Sequence, residues 1–310
     1  LFEDSKKPSV FNTGQIIFGL VRAYEATNNE KYLNAFLNAT HWLSDGLKEN
    51  STWKEAAYVD GFVPSYYTRV IWAMLYANRI LKDSKIEEKA RIALDYFSNK
   101  IQSNGVVRDW SFEPNQPAFT HTIAYTIRGF LESESLLNAP LTPKGGPPPT
   151  GFGHAGGGSP LGVRGERGEN NLAANLKLAA KYPAIDKLTE IWRQKKRFAG
   201  TYDENWNGDY SFVCVTGNAQ LSIIFSRLYQ LTKSEKYRSI AKEILLQLTQ
   251  YQRKSIFKNY NGAIPGSSPI WGKYMRMKYP NWAAKFYLEA WYITSLPNQG
   301  QPSPSSSPSN

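Results

Sequence analysis

The sequence predicts an all-α fold, a set of helical hairpins closed into a ring with one helix of each hairpin inside and its partner outside. Three observations lead there. The stretch TGNAQLSIIFSRLYQLTKSEKY, beginning at Thr216, has a twin near the N-terminus. At an offset of 205, Gln220, Arg227, Tyr229, Thr232, Glu235, Lys236 and Tyr237 fall on Gln15, Arg22, Tyr24, Thr27, Glu30, Lys31 and Tyr32. Seven identities in 18 residues mark a repeated unit of helix, short turn and helix. Second, helices that are mostly apolar start near 13, 67 and 120, a period of roughly 53 residues, or one hairpin and a loop. Third, the helices between them carry a charged face, and hairpins of this kind bury their cores only against neighbours.

Helix 11–26 has Ile16, Phe18, Leu20 and Val21 among its apolar positions. Helix 31–47 places Tyr32, Phe36, Leu37 and Leu43 at mixed three- and four-residue spacings. Thr27 and Thr232 each stand three residues before a Glu, the spacing of a capping box, and are expected to start the second helix of their hairpins. A loop with Trp53, Tyr58, Phe62 and Tyr66 leads into 67–81, where Val70, Ile71, Trp72, Met74 and Leu75 predict burial on all sides. Its partner, 86–101, is amphipathic. Trp110 and Phe112 mark the next loop, and 120–137 is again apolar.

Residues 139–169 are rich in Gly and Pro and have no apolar period. They read as a flexible insertion or as the product of a shifted reading frame, irregular and exposed in either case. Helical periodicity resumes over 171–193. A loop with Tyr202, Trp206, Tyr210 and Phe212 then leads to the helix at Thr216, its partner 236–251, a loop with Tyr260, Trp271, Tyr274 and Tyr279, and a last helix over 281–293. One domain, 1–294, is therefore expected, interrupted at 139–169, with a disordered tail at 295–310. Every long loop precedes an inner helix, so the loops should gather at one end of the ring with those helices' N-termini.

A formal charge of +11 suits an anionic partner, but Lys and Arg lie mostly on the outer helices and form no arm of the nucleic-acid-binding kind. A solvated basic face is the expectation, with no nucleic acid as partner. Aromatic residues make up 14% of the chain, enough to supply stacking surfaces for sugars as well as core packing. The single cysteine, Cys214, excludes an internal disulfide and fits a reducing, cytoplasmic setting. Three histidines and one cysteine argue against a protein-ligated metal, and no cofactor is called for. No apolar run reaches membrane-spanning length, so no membrane insertion is expected.

The phrases FNTGQIIFGLVRAYEAT, YYTRVIWAMLYA, FTHTIAYTIRGFLES, VTGNAQLSIIFSRLYQLT and IPGSSPIWGKY…YPNWAAKFYLEA resemble the inner-helix motifs of the six-hairpin glycosidase-like, (α/α)-toroid superfamily. More narrowly, they are similar to toroid proteins of polysaccharide-biosynthesis gene clusters. The resemblance covers about residues 11–137 and 198–294. It implies an (α/α) toroid that acts on carbohydrate, in a superfamily that includes glycosidases, polysaccharide lyases and uronyl epimerases. Against six hairpins this chain shows five inner helices and starts at Leu1, so the first hairpin is expected to be missing.

A ring with helix N-termini at its mouth should gather unpaired N–H groups and positive dipole ends that favour uronate carboxylates. His121 and Tyr125, four apart on one helix face, are the expected acid and base, with Tyr67 and Asp203 as further catalytic candidates. Arg69, Arg128 and Lys285 are the candidate cations for an acidic sugar. Asn12, Gln15, Asn218, Gln220 and Asn281 could bind hydroxyls, and Trp206 and Trp282 could stack on sugar faces. Arg22 and Arg227 are read as structural. The candidate carboxylates are all in loops, namely Asp60, Asp109, Glu113, Asp203, Glu204 and Asp209, and none is placed inside an apolar inner helix. A glycosidase needs two carboxylates flanking the bond, whereas a His/Tyr/Arg set suits proton abstraction beside a uronate. The expectation is a carbohydrate-active protein of lyase, epimerase or glycosidase type. The alternatives are a non-catalytic toroid that binds glycan or protein and, last, a terpene-cyclase or prenyltransferase-like toroid.

Overall fold

Among the described residues, three hairpins turn on two residues each. Asn28, Lys82 and Lys233 end their helices in the left-handed region, with φ of 50°, 57° and 57°. Asn29, Asp83 and Ser234 follow in extended backbone as the caps of the next helices. Asn29 and Asp83 each accept from the N–H two residues on, at 2.9 and 2.8 Å. Thr27 and Thr232, expected to open the second helix, instead close the first. Their hydroxyls donate at 2.7 Å to the carbonyls of Ala23 and Leu228. A threonine in the last turn can reach the carbonyl four residues back, and its oxygen accepts ahead only from the N–H of the next helix's cap, Asn29 or Ser234, at 3.3 Å.

The computed structural model describes residues 8–47, 52–53, 56–138, 182–256 and 260–295. The helices are α1 (Val10–Thr27), α2 (Glu30–Gly46), α3 (Thr68–Leu81, entered by a 3-10 turn at Ser65–Tyr67), α4 (Ser84–Ser98), α5 (Thr120–Leu137), α6 (Pro183–Lys195), α7 (Val215–Thr232), α8 (Glu235–Tyr251) and α9 (Asn281–Ser295). Eight lie where the periodicity put them, within a few residues; α6 instead starts at Pro183 after extended Tyr182, because a proline disfavours helix at the residue before it, so the expected helix 171–193 is not continuous. The expected irregular segment 139–169, the first part of the expected helix 171–193 and the tail after 295 lie outside the described residues.

Helices α1, α3, α5, α7 and α9 pack side by side in chain order as the inner layer, with α2, α4 and α8 against α1, α3 and α7 outside. Helix α6 joins the outer layer through its flanks. Tyr182 stacks on Phe130 and donates to Glu134, while Trp192 and Lys196 both donate to Glu243 of α8 at 2.7 Å. The chain is thus an all-α toroid of hairpins, with five inner and four outer helices among the described residues. Helices α1 and α9, at the two ends of the inner series, carry exposed Ile16 and exposed Leu288 and Trp291. Among the described residues no helix is long and apolar enough to cross a membrane.

Five two-residue strands, unforeseen from the sequence, stitch the loops together. β1 (Ala118–Phe119) pairs antiparallel with β2 (Thr201–Tyr202), which pairs with β3 (Gly208–Asp209); β4 (Val213–Cys214) pairs with β5 (Ser267–Ser268). The loops before α5, α7 and α9 are therefore held at one end, as expected. The loop before α3 joins them through Ser65 N, which donates to Asp109 O at 2.7 Å. Pairs this short have no period of their own, and in β1–β2 and β4–β5 the partners are tens of residues apart.

Helices α3 and α5 meet at Gly129. A Cβ there would lie 2.4 Å from the Thr68 carbonyl carbon and 2.5 Å from Arg69 N. Gly129→Ala is expected to cost about 1–3 kcal/mol through overpacking. Urea unfolding checks it; a variant as stable as wild type would mean the contact is not rigid.

Candidate active site

The inward face of each inner helix supplies one stripe of side chains. On α5 the stripe is His121, Tyr125, Arg128 and Glu132, spaced four, three and four apart and so on one side of the helix. Helix α3 supplies Arg69 and Trp72, α1 supplies Gln15 and Phe18, α7 supplies Gln220 and Arg227, and α9 supplies Phe286 and Glu289. Gly217 lets α7 come close: a Cβ there would stand 2.6 Å from His121 N. That approach brings Gln220 Nε2 to 2.6 Å from His121 Nδ1. With the amide donating, Nδ1 accepts and the ring proton sits on Nε2.

Near the loop end of the axis, His121 and Tyr125 lie with ring centroids 4.2 Å apart. They are 3% and 5% exposed. The Arg69 guanidinium stands 4.8 Å from the Tyr125 ring and also faces Phe18, Trp72 and Phe286 at 5.0–5.5 Å. Its Nε donates to Gln15 Oε1 at 2.6 Å, while Nη1 is buried without a partner. Burial lowers Arg69 to about 10, so it stays charged at neutral pH. Burial, with Arg69 nearby, lowers His121 to about 3. Burial raises Tyr125 to about 12 against the pull of Arg69. The closed site therefore holds a neutral imidazole, a neutral phenol and a cation.

This arrangement carries a pH dependence. The His121 pKa is depressed in the folded state, so between about 6.5 and 3 the unfolded chain binds the extra proton, and stability falls as pH falls through that window. The loss is about 1.4 kcal/mol per pH unit, or about 2 kcal/mol between neutrality and pH 5. Unfolding titrations of wild type and His121→Gln at both pH values isolate it. The variant should be less pH-sensitive by that amount, and equal slopes would refute the assignment.

Deeper on the axis lies an ion network. Arg128 Nη2 pairs with Glu289 Oε1 at 2.6 Å, and Lys285 Nζ with Glu289 Oε2 at 2.6 Å. Glu132 takes two parallel bonds of 3.0 Å from Arg227 and lies 3.7 Å from Arg128 Nε. Burial works to raise both carboxyls, but the arginines, with Lys285 at Glu289, hold them below the usual range. This corrects the expectation that no carboxylate sits inside an inner helix. Glu132 and Glu289 both do, each four residues after a basic residue of its own helix, and that spacing was the available signal.

The mouth also differs from expectation. Thr120 N and Val215 N, at the starts of α5 and α7, do not stand unpaired for an anion. They donate to Gly200 O and Gly266 O at 3.0 Å. The loops instead bring in an aromatic layer. Tyr274, given no role by the sequence pattern, lies 5.0 Å from His121 and receives a 3.0 Å hydrogen bond from Trp282 Nε1. Phe112 lies 6.5 Å from Tyr274 and nearly parallel to it, and Phe11 packs 5.2 Å from Tyr125.

The other candidates lie apart from this cluster or at its rim. Asn218 is about 200° round α7 from Thr216 and from Gln220, so it leaves the His121 face, with neither amide atom bonded. Tyr67 is buried with its ring edge-on to Trp53 and Tyr66, at 5.8 and 5.5 Å. Asp203 organises its own turn, accepting from Asn205 N, Asn207 N and Asn207 Nδ2 at 2.8 Å. Trp206 packs on Trp110 and Tyr202 and donates to Asn104 O at 3.0 Å. Asn12 and Asn281 are exposed near the starts of α1 and α9. Lys285, over the Phe286 ring at 4.0 Å, lines a shallow cavity with Leu288, Glu289, Trp291 and Tyr292 on the open side of α9. Arg227, read from the sequence as structural, holds Glu132, and Arg22 pairs with Glu25 at 2.8 Å.

Two layers of hairpins around a polar axis make an (α/α)-toroid fold, and solved structures share it. The chain superposes on an unsaturated glucuronyl hydrolase specific for heparin with a TM-score of 0.63 at 13% identity, covering 91% of this chain and 73% of that one. Cellobiose 2-epimerase from Spirochaeta thermophila DSM 6192 gives 0.61 at 12%, covering 92% and 70%. A novel alpha-amylase from Clostridium perfringens gives 0.59 at 14%, covering 95% and 74%. No family model and no curated protein sequence matches the chain.

Proposed function

We propose that this protein is a carbohydrate-active enzyme that works on a uronate-containing oligo- or polysaccharide by moving a proton beside the carboxylate, as a lyase or epimerase does. One observation carries the reading: His121, Tyr125 and Arg69 form a continuous cluster on the ring axis, with Gln220 on the imidazole and Gln15 on the guanidinium. Arg69, with an unpaired Nη1, meets the carboxylate and stabilises negative charge developing next to it. Tyr125 and His121 are the proton-handling pair. A hydrolase is disfavoured because its general acid needs a raised carboxyl pKa, and Glu132 and Glu289 are both held ionised by arginine. The saccharide-acting proteins with the same fold agree with the substrate class.

The test is incubation with uronate-containing oligosaccharides, following ultraviolet absorbance of an unsaturated product and proton exchange at the sugar carbon next to the carboxylate. Appearance of either supports the reading, and absence of both with bound saccharide rejects it. A second reading, a non-catalytic glycan-binding toroid, has its own observation. In the closed state His121 and Tyr125 titrate far from neutrality in opposite directions, which suits poorly a pair that exchanges protons at pH 7.

A further inference from the structure

We propose that residues 269–278 form a strap and that Tyr274 is its removable stopper, its ring filling the slot above His121 through which a ligand must pass to reach the axis. This rests on the saccharide reading only for the identity of the ligand.

The strap buries Tyr274, half-buries Pro269, Ile270 and Met275, and turns most of its other side chains out. Tyr274 is buried, while Trp271, Lys273, Arg276, Met277 and Lys278 are exposed, Trp271 by 63%. The Tyr274 ring packs against His121, Phe112 and Phe119 at 5.0, 6.5 and 5.4 Å, and the two phenylalanines lie 5.9 Å from each other. Phe112 and Phe119 are only half-buried, so an aromatic-walled slot opens where Tyr274 withdraws. Such walls are what a sugar ring or another flat apolar face stacks on.

Three backbone hydrogen bonds of the strap are its own. Gly272 N donates to Pro269 O at 2.8 Å, Met277 N to Ile270 O at 2.8 Å and Lys278 N to Met275 O at 3.0 Å. Its base is fixed where Gly266 N meets Lys278 O and where β5 pairs with β4. Beyond the base, three polar ties hold it down. Trp282 Nε1 reaches the Tyr274 hydroxyl, Ser267 Oγ reaches Tyr274 O at 2.6 Å, and Lys273 meets Asp209 at the surface at 2.7 Å. A segment that keeps its internal bonds can leave as one body by local opening, at the cost of these three ties and of the packing of Tyr274 and Met275 on Phe212 and Cys214. Gly272 sets how closely it lies down: a Cβ there would stand 2.7 Å from both Phe212 Cβ and Ser267 Cβ.

The experiment is ethoxycarbonylation of histidines by diethyl pyrocarbonate, read by mass spectrometry, on wild type, Tyr274→Ala and Gly272→Ala. His41, whose side chain is 48% exposed, reports whether the fold is otherwise unchanged. His121 should react at least about tenfold faster in both variants, as expected when a local opening is made easier, with the His41 rate unaltered. His121 rates within about twofold of wild type in both variants overturn the strap. The same reaction is run with an unsaturated glucuronyl disaccharide present. If the variants expose His121 and the disaccharide protects it there, strap and saccharide reading both stand. Exposed His121 with no protection keeps the strap and rejects the saccharide as ligand. Equal disaccharide affinity in all three proteins with unchanged His121 rates rejects the strap and keeps the saccharide.

Discussion

Glu289→Ala is expected to destabilise the fold by about 3–5 kcal/mol, the cost of leaving a buried charge without its partner. Glu289 accepts from Arg128 and from Lys285, each at 2.6 Å, and it and Arg128 are almost fully buried. Lys285 is half-exposed and can turn to water once its partner is gone. Arg128 cannot. Its Nη1 already lacks a partner, its ring neighbour is Trp72 at 4.8 Å, and its other acid, Glu132 at 3.7 Å, is engaged by Arg227. The double variant Glu289→Leu with Arg128→Met should recover much of the loss, since removing both charges removes the desolvation they require. A surface pair such as Arg91–Glu87 is worth only about 0.3–0.5 kcal/mol by comparison. Urea unfolding decides: a single variant within about 1 kcal/mol of wild type would mean that water reaches Arg128 and that the axis is wet.

With a substrate in hand, His121→Ala should lower turnover by about 10²–10⁴-fold, the usual contribution of a positioned proton-transfer group. The effect should fall on kcat more than on KM, because on the proposed reading the imidazole moves the proton while Arg69 holds the anionic end. Tyr125→Phe should lose activity on a similar scale, since it removes only the hydroxyl from a ring that still packs against Phe11 and Phe286. Gln220→Ala is a useful companion. It frees His121 Nδ1, so a shifted pH profile with modest loss of rate marks Gln220 as a positioning residue. Turnover in His121→Ala equal to wild type would place His121 among the packing residues and bring the binding reading forward.

How much of this was legible in the chain follows from the range of the forces involved. Helix placement rests on periodicity within a few turns, and α5 at 120–137 lies where the apolar run put it. Spacing along one helix also put His121, Tyr125 and Arg128 on one face. The same helical spacing, applied to residues 216, 218 and 220, is enough to set Asn218 on a different face from Gln220. Which group answers which was a different matter. Glu132 of α5 meets Arg227 of α7, 95 residues on, and Glu289 meets Arg128 across the ring, so the acids that neutralise the axis could not be assigned from local sequence.

The sequence by itself determined the repeated hairpin, the inner and outer layers and the stripe of polar residues, because these follow from side-chain periods along a single helix. Tertiary structure alone decided that the helix N-termini at the mouth are answered by loop carbonyls and that Tyr274 covers His121. Those contacts depend on two-residue strands and on glycine approaches of 2.4–2.6 Å between helices, and neither leaves a periodic trace in the chain.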